Sequence, residues 1–184
     1  SVCDPSVVER LVGRSEVIIH AAARNIVVST RNPREDYETN IGGTLNVLLA
    51  ARAAGGRRIV YTSSTSVYGN PRYMPVNEDD HLSLLTPYAV SKLAAEYYVN
   101  TIGDLWKIET VSLRVFNAYG PGQHLPPAHP PVVPYFLKQA LRNGSLVVHS
   151  DGSQTRDYIY VDDVVSGLVA ASTAPNLDGL VINI

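Results

Sequence analysis

Tyr88 and Lys92 stand four residues apart in the run Tyr88-Ala89-Val90-Ser91-Lys92, at the start of a stretch with helical apolar spacing. On a helix, that spacing puts both side chains on one face, with roughly 5–6 Å between Cβ atoms. A free tyrosine titrates near pH ~10, so only about one in a thousand is phenolate at neutral pH. A nearby ammonium favours the phenolate, which would make the pair a general base and its activator. The spacing alone is a weak signal, because Tyr-x-x-x-Lys recurs by chance on solvated helix faces. Its company is more informative. Ser64 lies earlier in the hydroxyl run Thr62-Ser63-Ser64-Thr65-Ser66, at the end of an apolar segment. In an open α/β sheet the carboxyl ends of strands are where ligands bind, and a hydroxyl there can hold a reacting oxygen while a tyrosine exchanges its proton. A polar strand-to-loop turn would account for one or two of these hydroxyls, but not for the whole run.

The elements that must position these groups follow from periodicity. Asp4-Pro5 reads as an N-cap followed by proline at the first helical position. It opens a helix over 4–14, with Val7, Val8, Leu11 and Val12 on its periodic face and Gly13 at its stop. The run 17–22 is apolar enough for a strand covered on both faces. A helix over 36–54 carries Leu45, Leu48, Leu49 and Arg52 in its pattern. Strands are expected at 58–63, 109–116, 146–149 and 180–184, and helices at 88–102, 131–142 and 161–172. Thr86-Pro87 opens the helix that carries Tyr88. The alternation predicts an α/β fold, a doubly wound parallel sheet with helices on both faces. Between Gly120 and Pro134, six prolines and two histidines interrupt the rhythm. A loop of that length within a compact domain is usually functional. A chain that begins at a helix cap and ends inside a strand is expected to be part of a longer one.

Composition narrows the classes. The chain has 184 residues and a net charge of −2, with 45% apolar and 17% charged residues. That is a single-domain length with too much apolar content for disorder. A pI near 6.2 argues against a nucleic-acid or anionic-membrane surface, because both require a basic excess. One cysteine, Cys3, fits a reducing, cytoplasmic compartment. No apolar run approaches the ~18 residues of a membrane span, and no signal peptide is expected. The loop histidines His124 and His129 have no cysteine or close acid in a ligand pattern, so no metal is expected. His20 ends an apolar strand and reads as a satisfied, buried residue. Asp162 and Asp163 read as caps of the helix that follows them.

Six segments then carry a resemblance. They are Val17-Ile-Ile-His-Ala-Ala-Ala23, Asn40-Ile-Gly-Gly-Thr-Leu-Asn46, Tyr61-Thr-Ser-Ser-Thr-Ser-Val-Tyr-Gly69, Pro87-Tyr-Ala-Val-Ser-Lys92, Leu113-Arg-Val-Phe-Asn-Ala-Tyr-Gly-Pro-Gly122 and Asp151-Gly-Ser-Gln-Thr-Arg-Asp-Tyr-Ile-Tyr-Val-Asp-Asp163. In order and spacing, over nearly the whole chain, they resemble the extended short-chain dehydrogenase/reductases of the nucleotide-sugar epimerase and dehydratase group. The resemblance implies a Rossmann-like sheet with catalytic residues over about 1–120, the beginning of a substrate lobe over 121–160 and a return to the sheet over 161–184. It implies that Tyr88 is the catalytic base, Lys92 a partner to the nicotinamide ribose and Ser64 the catalytic hydroxyl. Cofactor-binding positions would be Ala21, Ala22, Ala23, Asn40, Thr62, Ser63, Tyr88, Lys92 and Phe116. Ser64, Asn117, His149 and Arg156 would hold the substrate, a nucleoside-diphosphate sugar. NAD is the implied cofactor, with NADP open, and a homodimer is the implied assembly.

Two departures from the family pattern matter. No Gly-x-Gly-x-x-Gly occurs, and that loop holds the pyrophosphate in the first strand–helix unit of such a sheet. The 184 residues alone are therefore expected to lack part of the cofactor site and to be inactive. Second, dehydratases of the family place an Asp-Glu pair after the catalytic Thr, where Thr65 and Ser66 stand here. Hydroxyls alone suffice to remove and return a hydride, which favours a C4 epimerase of the UDP-glucose 4-epimerase kind. A 4-keto-sugar reductase, a dehydratase and a non-catalytic piece of such an enzyme are the alternatives.

Overall fold

A computed structural model describes residues 1–126 and 130–184; His129 lies outside the described residues. Four parallel strands stand side by side in the order β1 (Val17–His20), β2 (Arg58–Ser64), β3 (Thr110–Val115) and β6 (Leu180–Asn183). Their register pairs Ile19 with Val60, Val60 with Val111 and Val111 with Leu180. Side chains on β2 alternate between the two faces. Ile59 and Tyr61 pack with Val47, Leu48 and Ala51 of α4 (Gly43–Ala53) and with Ala95 and Val99 of α5 (Pro87–Trp106). Val60 joins Val111, Leu113 and Ala171 of α7 (Val161–Thr173) in a second cluster. The doubly wound parallel architecture is the expected one.

Local chemistry explains most of the boundaries. Asp4 caps α1 (Pro5–Val12), its carboxylate accepting from the Ser6 and Val7 amides at 3.0 and 3.3 Å. Val8 and Val12 face inward, whereas Leu11 is exposed. Thr86 caps α5 by accepting from the Ala89 amide at 3.1 Å, with Pro87 in the first turn. That helix runs four residues past its expected end and stops at Lys107, whose φ of 56° is left-handed.

Several expectations need correction. The strand at 17–22 ends at His20, and Ile19 is 45% exposed rather than covered. The helix expected from 36 begins earlier and is not uniform. It consists of α3 (Pro33–Asp36), a π-helical segment (Tyr37–Gly42) and α4 in direct succession. Its buried face is Thr44, Val47, Leu48 and Ala51; Leu49 is exposed, and Arg52 lies over the Trp106 ring at 4.5 Å. A further short helix, α2 (Ile26–Arg31), occupies a stretch that reads as merely polar; Asn25 caps it. Residues 146–149 form no strand and are exposed, since β-propensity without a ladder partner leaves backbone groups unpaired. The strands β4 (Asn117–Tyr119) and β5 (Tyr158–Tyr160) instead pair in parallel as a separate two-stranded sheet. Each has three residues, too few to show a period. The last helix between them is α6 (Val132–Leu141). Asp162 and Asp163 lie in the first turn of α7 and make no cap hydrogen bond; their charge there suits the positive end of the helix dipole.

Candidate active site

The hydroxyl run occupies the carboxyl end of β2 and the 3-10 turn Thr65–Tyr68 that follows it. Ser64 caps that turn: its Oγ accepts from the Ser66 amide at 3.2 Å and donates to Ser66 Oγ at 3.0 Å. Gly69 ends the turn at φ +58°, where a Cβ would also run into the Ser83 carbonyl, so the close approach of these two backbones requires glycine. Thr62 donates to the His20 carbonyl at 3.2 Å, tying the ends of β1 and β2 together. Neighbouring Ser63 points to the other face and donates to Glu96 at 2.5 Å, buried. Its side chain is thus committed to the interior.

Tyr88 lies in the first turn of α5, and Lys92 one turn further on. The Ser64 hydroxyl is close enough to the Tyr88 phenol for hydrogen bonding between them to ease its ionisation. Burial outweighs that and pushes the phenol above its ordinary value, with the Asp36 carboxylate adding to the rise. Lys92 is 2% exposed, and its ammonium donates to the Thr62 carbonyl and lies 4.4 Å from the Tyr61 ring centroid. Burial pushes it down to about 7, against the pull of Glu96 and Asp36. Desolvation dominates both groups, and the Lys92 hydrogen bond goes to the end of β2.

Asn40 is 1% exposed, and both ends of its amide are engaged. Its Oδ1 accepts from the Arg24 amide at 2.7 Å, while Nδ2 reaches the Arg24 carbonyl at 3.2 Å, Asp36 at 2.6 Å and Ser91 at 3.0 Å. It therefore clamps the loop after β1 to α3 and α5. Ala21, Ala22 and Ala23, at the start of that loop, are exposed beyond the carboxyl end of β1. His20 is 4% exposed and bonded to Thr44 at 2.8 Å, as anticipated; burial, with Lys92 nearby, pushes it down to about 4.

The remaining expected residues gather elsewhere. Phe116 is half-buried and lines a cleft of about 660 Å³ with Val76, Tyr158 and Ile184. Asn117 is exposed on β4 and donates to the Asp157 carbonyl at 2.7 Å. His149 and Arg156 share a second cleft, of about 620 Å³, with Tyr135, Phe136 and Tyr158. Both are exposed, and the Arg156 guanidinium donates to the adjacent Thr155 carbonyl at 2.7 Å. The structure thus brings Lys92 to the end of β2 that carries Ser64, and separately brings His149 and Arg156 together.

Sequence reasoning overlooked a buried ionic network beneath the hydroxyl run. Arg114 and Glu96 are 4% and 1% exposed and form a two-pronged pair at 2.7 and 3.2 Å. Arg114 also donates to Tyr68 at 2.8 Å and to the Glu78 carbonyl at 2.9 Å, and Tyr68 donates to Asn183 at 2.8 Å. A guanidinium fork suits such multiple contacts. An arginine inside the apolar run 110–116, and a glutamate four residues after Lys92 on an apolar helix face, were the available signals.

A family model described as the NAD dependent epimerase/dehydratase family matches residues 1–184. A UDP-glucose 4-epimerase of Mycolicibacterium smegmatis is 39% identical over 160 residues, covering 86% of this chain and 51% of that protein. The solved UDP-glucose 4-epimerase of Thermotoga maritima, with UDP-glucose, matches with a TM-score of 0.92 at 32% identity, covering all of this chain and 60% of that one. A dTDP-glucose 4,6-dehydratase of Streptomyces venezuelae, with NAD bound, matches at 0.87 and 27% identity, covering 100% and 56%. The chain spans about half the length of the curated relatives it matches. With that fold, and with tyrosine, lysine and hydroxyls at the carboxyl end of its second strand, the chain belongs to the NAD dependent epimerase/dehydratase family.

Proposed function

We propose that the protein carrying this chain inverts C4 of a nucleoside-diphosphate hexose through a transient 4-keto sugar, with NAD as cofactor. The observation that carries the reading is that α5, which opens with Tyr88 in its first turn, brings its buried Lys92 ammonium to the Thr62 carbonyl at the end of the strand that carries Ser64, with Thr65 and Ser66 following where dehydratases of the family hold an acid pair. The relatives described as UDP-glucose 4-epimerases support the same choice.

Ala21, Ala22 and Ala23 fit the passage of a dinucleotide, because they are small, exposed and held in place through the Asn40 clamp on Arg24. With Lys92 they would hold one side of NAD; Phe116 would approach it from the cleft beyond β3. The chemistry such a cofactor would supply is the reversible uptake of a hydride from the carbinol carbon. Tyr88 takes the hydroxyl proton as the carbonyl forms and gives it back in the reverse sense, the role of a general base and then acid. Ser64 holds the same oxygen through both half-reactions. Arg156 and Asn117 keep the diphosphate while the keto sugar turns, since a planar guanidinium meets phosphate oxygens two at a time. His149 lies beside Arg156, where a base would stack.

Incubating the protein with nucleoside-diphosphate hexoses and NAD, with products read by NMR, tests this. Inversion at C4 without net cofactor change is expected. A 6-deoxy-4-keto product, or net consumption of reduced cofactor, overturns it in favour of the dehydratase or the ketoreductase.

A further inference from the structure

Asp36 ends α3, immediately before the π-helical segment, and is 3% exposed. One of its carboxylate oxygens accepts three neutral donors: the Ser29 hydroxyl from α2, the Asn40 amide at 2.6 Å and the Ser91 hydroxyl at 3.0 Å. Ser91 lies between Tyr88 and Lys92 on α5, and its hydroxyl is also 3.1 Å from the Tyr88 carbonyl. Asn40 in turn grips the Arg24 backbone, the residue directly after Ala21–Ala23. The turn that carries Tyr88 and the loop after β1 therefore cannot shift relative to each other without breaking a bond to Asp36 or Asn40. An ionised carboxylate only accepts, so it can take several donors at one point where an amide would present its own hydrogens.

We propose that Asp36 is a positioning residue of this site: its carboxylate is the junction that fastens the loop after β1 to the Tyr88–Lys92 turn of α5, and its charge acts on both of those groups. The proposal rests on the reading of Tyr88 as the base. Its electrostatic half stands on the same geometry. The groups that face Lys92 are Tyr61 from β2, His20 from β1, Glu96 from its own helix and Asp36 from α3. Of these, Asp36 and Glu96 oppose the burial that pushes Lys92 down to about 7. Asp36 also opposes ionisation of Tyr88. Removing its charge must lower both titrations.

Two variants separate the roles. Asp36→Asn keeps the size and removes the charge, and Asp36→Ala also removes the clamp. Lysine labelled with 13C at Cε reports Lys92 by NMR, its resonance being the one missing from Lys92→Arg. In Asp36→Asn the Lys92 midpoint is expected to move to lower pH. The pH profile of carbinol oxidation moves the same way at both limbs, because Lys92 and Tyr88 each lose their proton at lower pH once the charge is gone. Asp36→Ala is expected to lose about 10²-fold in kcat/KM, the size of effect that follows a small misplacement of reacting groups. An Asp36→Asn protein whose Lys92 titrates as in the parent overturns the proposal, whatever reaction the protein performs. So does a fall in activity with an unmoved pH profile, which would mark Asp36 as a purely structural residue. A Lys92 midpoint that follows Asp36 in a protein that inverts no sugar would leave the junction standing and overturn the reading of the reaction.

Discussion

Glu96 and Arg114 on one hand, and His149 and Arg156 on the other, are two ways of holding polar side chains in one chain. The first pair is 1% and 4% exposed and locked by bonds from β2, α5, the 3-10 turn and the 78 loop. The second pair lies exposed along a cleft, with the Arg156 guanidinium engaged only by its neighbour's carbonyl among the described residues. Buried polar groups left unpaired are expensive, so the interior network must be complete before any ligand arrives. Exposed groups carry no such penalty and can wait for phosphate oxygens. The proposed chemistry therefore sits on a pre-organised framework, while the proposed recognition is left to the ligand. Affinity can then change without disturbing the fold.

The comparison breaks most visibly at Tyr88, which belongs to the framework but contributes through chemistry. Tyr88→Phe is expected to lower turnover by about 10²–10⁴-fold, the usual worth of a positioned base, while the thermal midpoint stays near that of the parent. Turnover at the parental rate removes Tyr88 from its role. In the interior network, Glu96→Ala leaves the Arg114 guanidinium buried without its carboxylate. Such a change costs about 3–5 kcal/mol, readable in urea denaturation. Replacing the pair together, Glu96→Leu with Arg114→Met, should recover most of that loss. If the single variant is as stable as the parent, the framework is not held by this pair.

On the open side, Arg156→Ala should leave stability within about 0.5 kcal/mol. It should weaken nucleotide-sugar binding by roughly tenfold or somewhat more, the worth of one charge-assisted contact. Calorimetric titration with the sugar nucleotide checks this, and undiminished binding moves the diphosphate elsewhere. The last effect concerns Lys92 and is spread over a range of pH. Its titration falls from an ordinary 10.5 to about 7 in the fold, so between those values the unfolded chain binds the extra proton. Stability should therefore rise with pH from about 7 to about 10.5, by at most about 1.4 kcal/mol per pH unit. Lys92→Met should remove this rise, and a slope that persists in the variant assigns it to another group.

Much of this was legible in the residues. Asp4-Pro5 and Thr86-Pro87 announced their helices because side-chain caps and proline act locally. Runs rich in β-branched and aromatic residues announced β2 and β3, because such side chains favour the extended, pleated backbone. Ser64, Tyr88 and Lys92 were legible as types and spacing, and Lys92 does reach the end of the strand that carries Ser64. Their electrostatics were not, because desolvation depends on what covers a group and not on its neighbours in sequence. The side chains of Asn40 and Ser63 bind the interior, which their motifs did not announce, because a motif marks a position and not the direction in which the side chain points. The pairing of β4 with β5 brings together residues some forty positions apart, and nothing local encodes it.

The π-helical segment at Tyr37–Gly42 has a consequence for how this region can vary in length. Each residue of a regular helix advances the chain by about 100°, and a π turn absorbs one more residue than an α turn does. Deleting a single residue there could leave a continuous, well-formed helix, yet it would turn α3 and Asp36 by roughly that angle relative to α4. Asp36 would then face away from Asn40 and Ser91. An insertion or deletion in this segment would thus be silent in helix content and felt at Tyr88, whereas substitutions at its exposed positions, such as Tyr37 and Glu38, are free to accumulate.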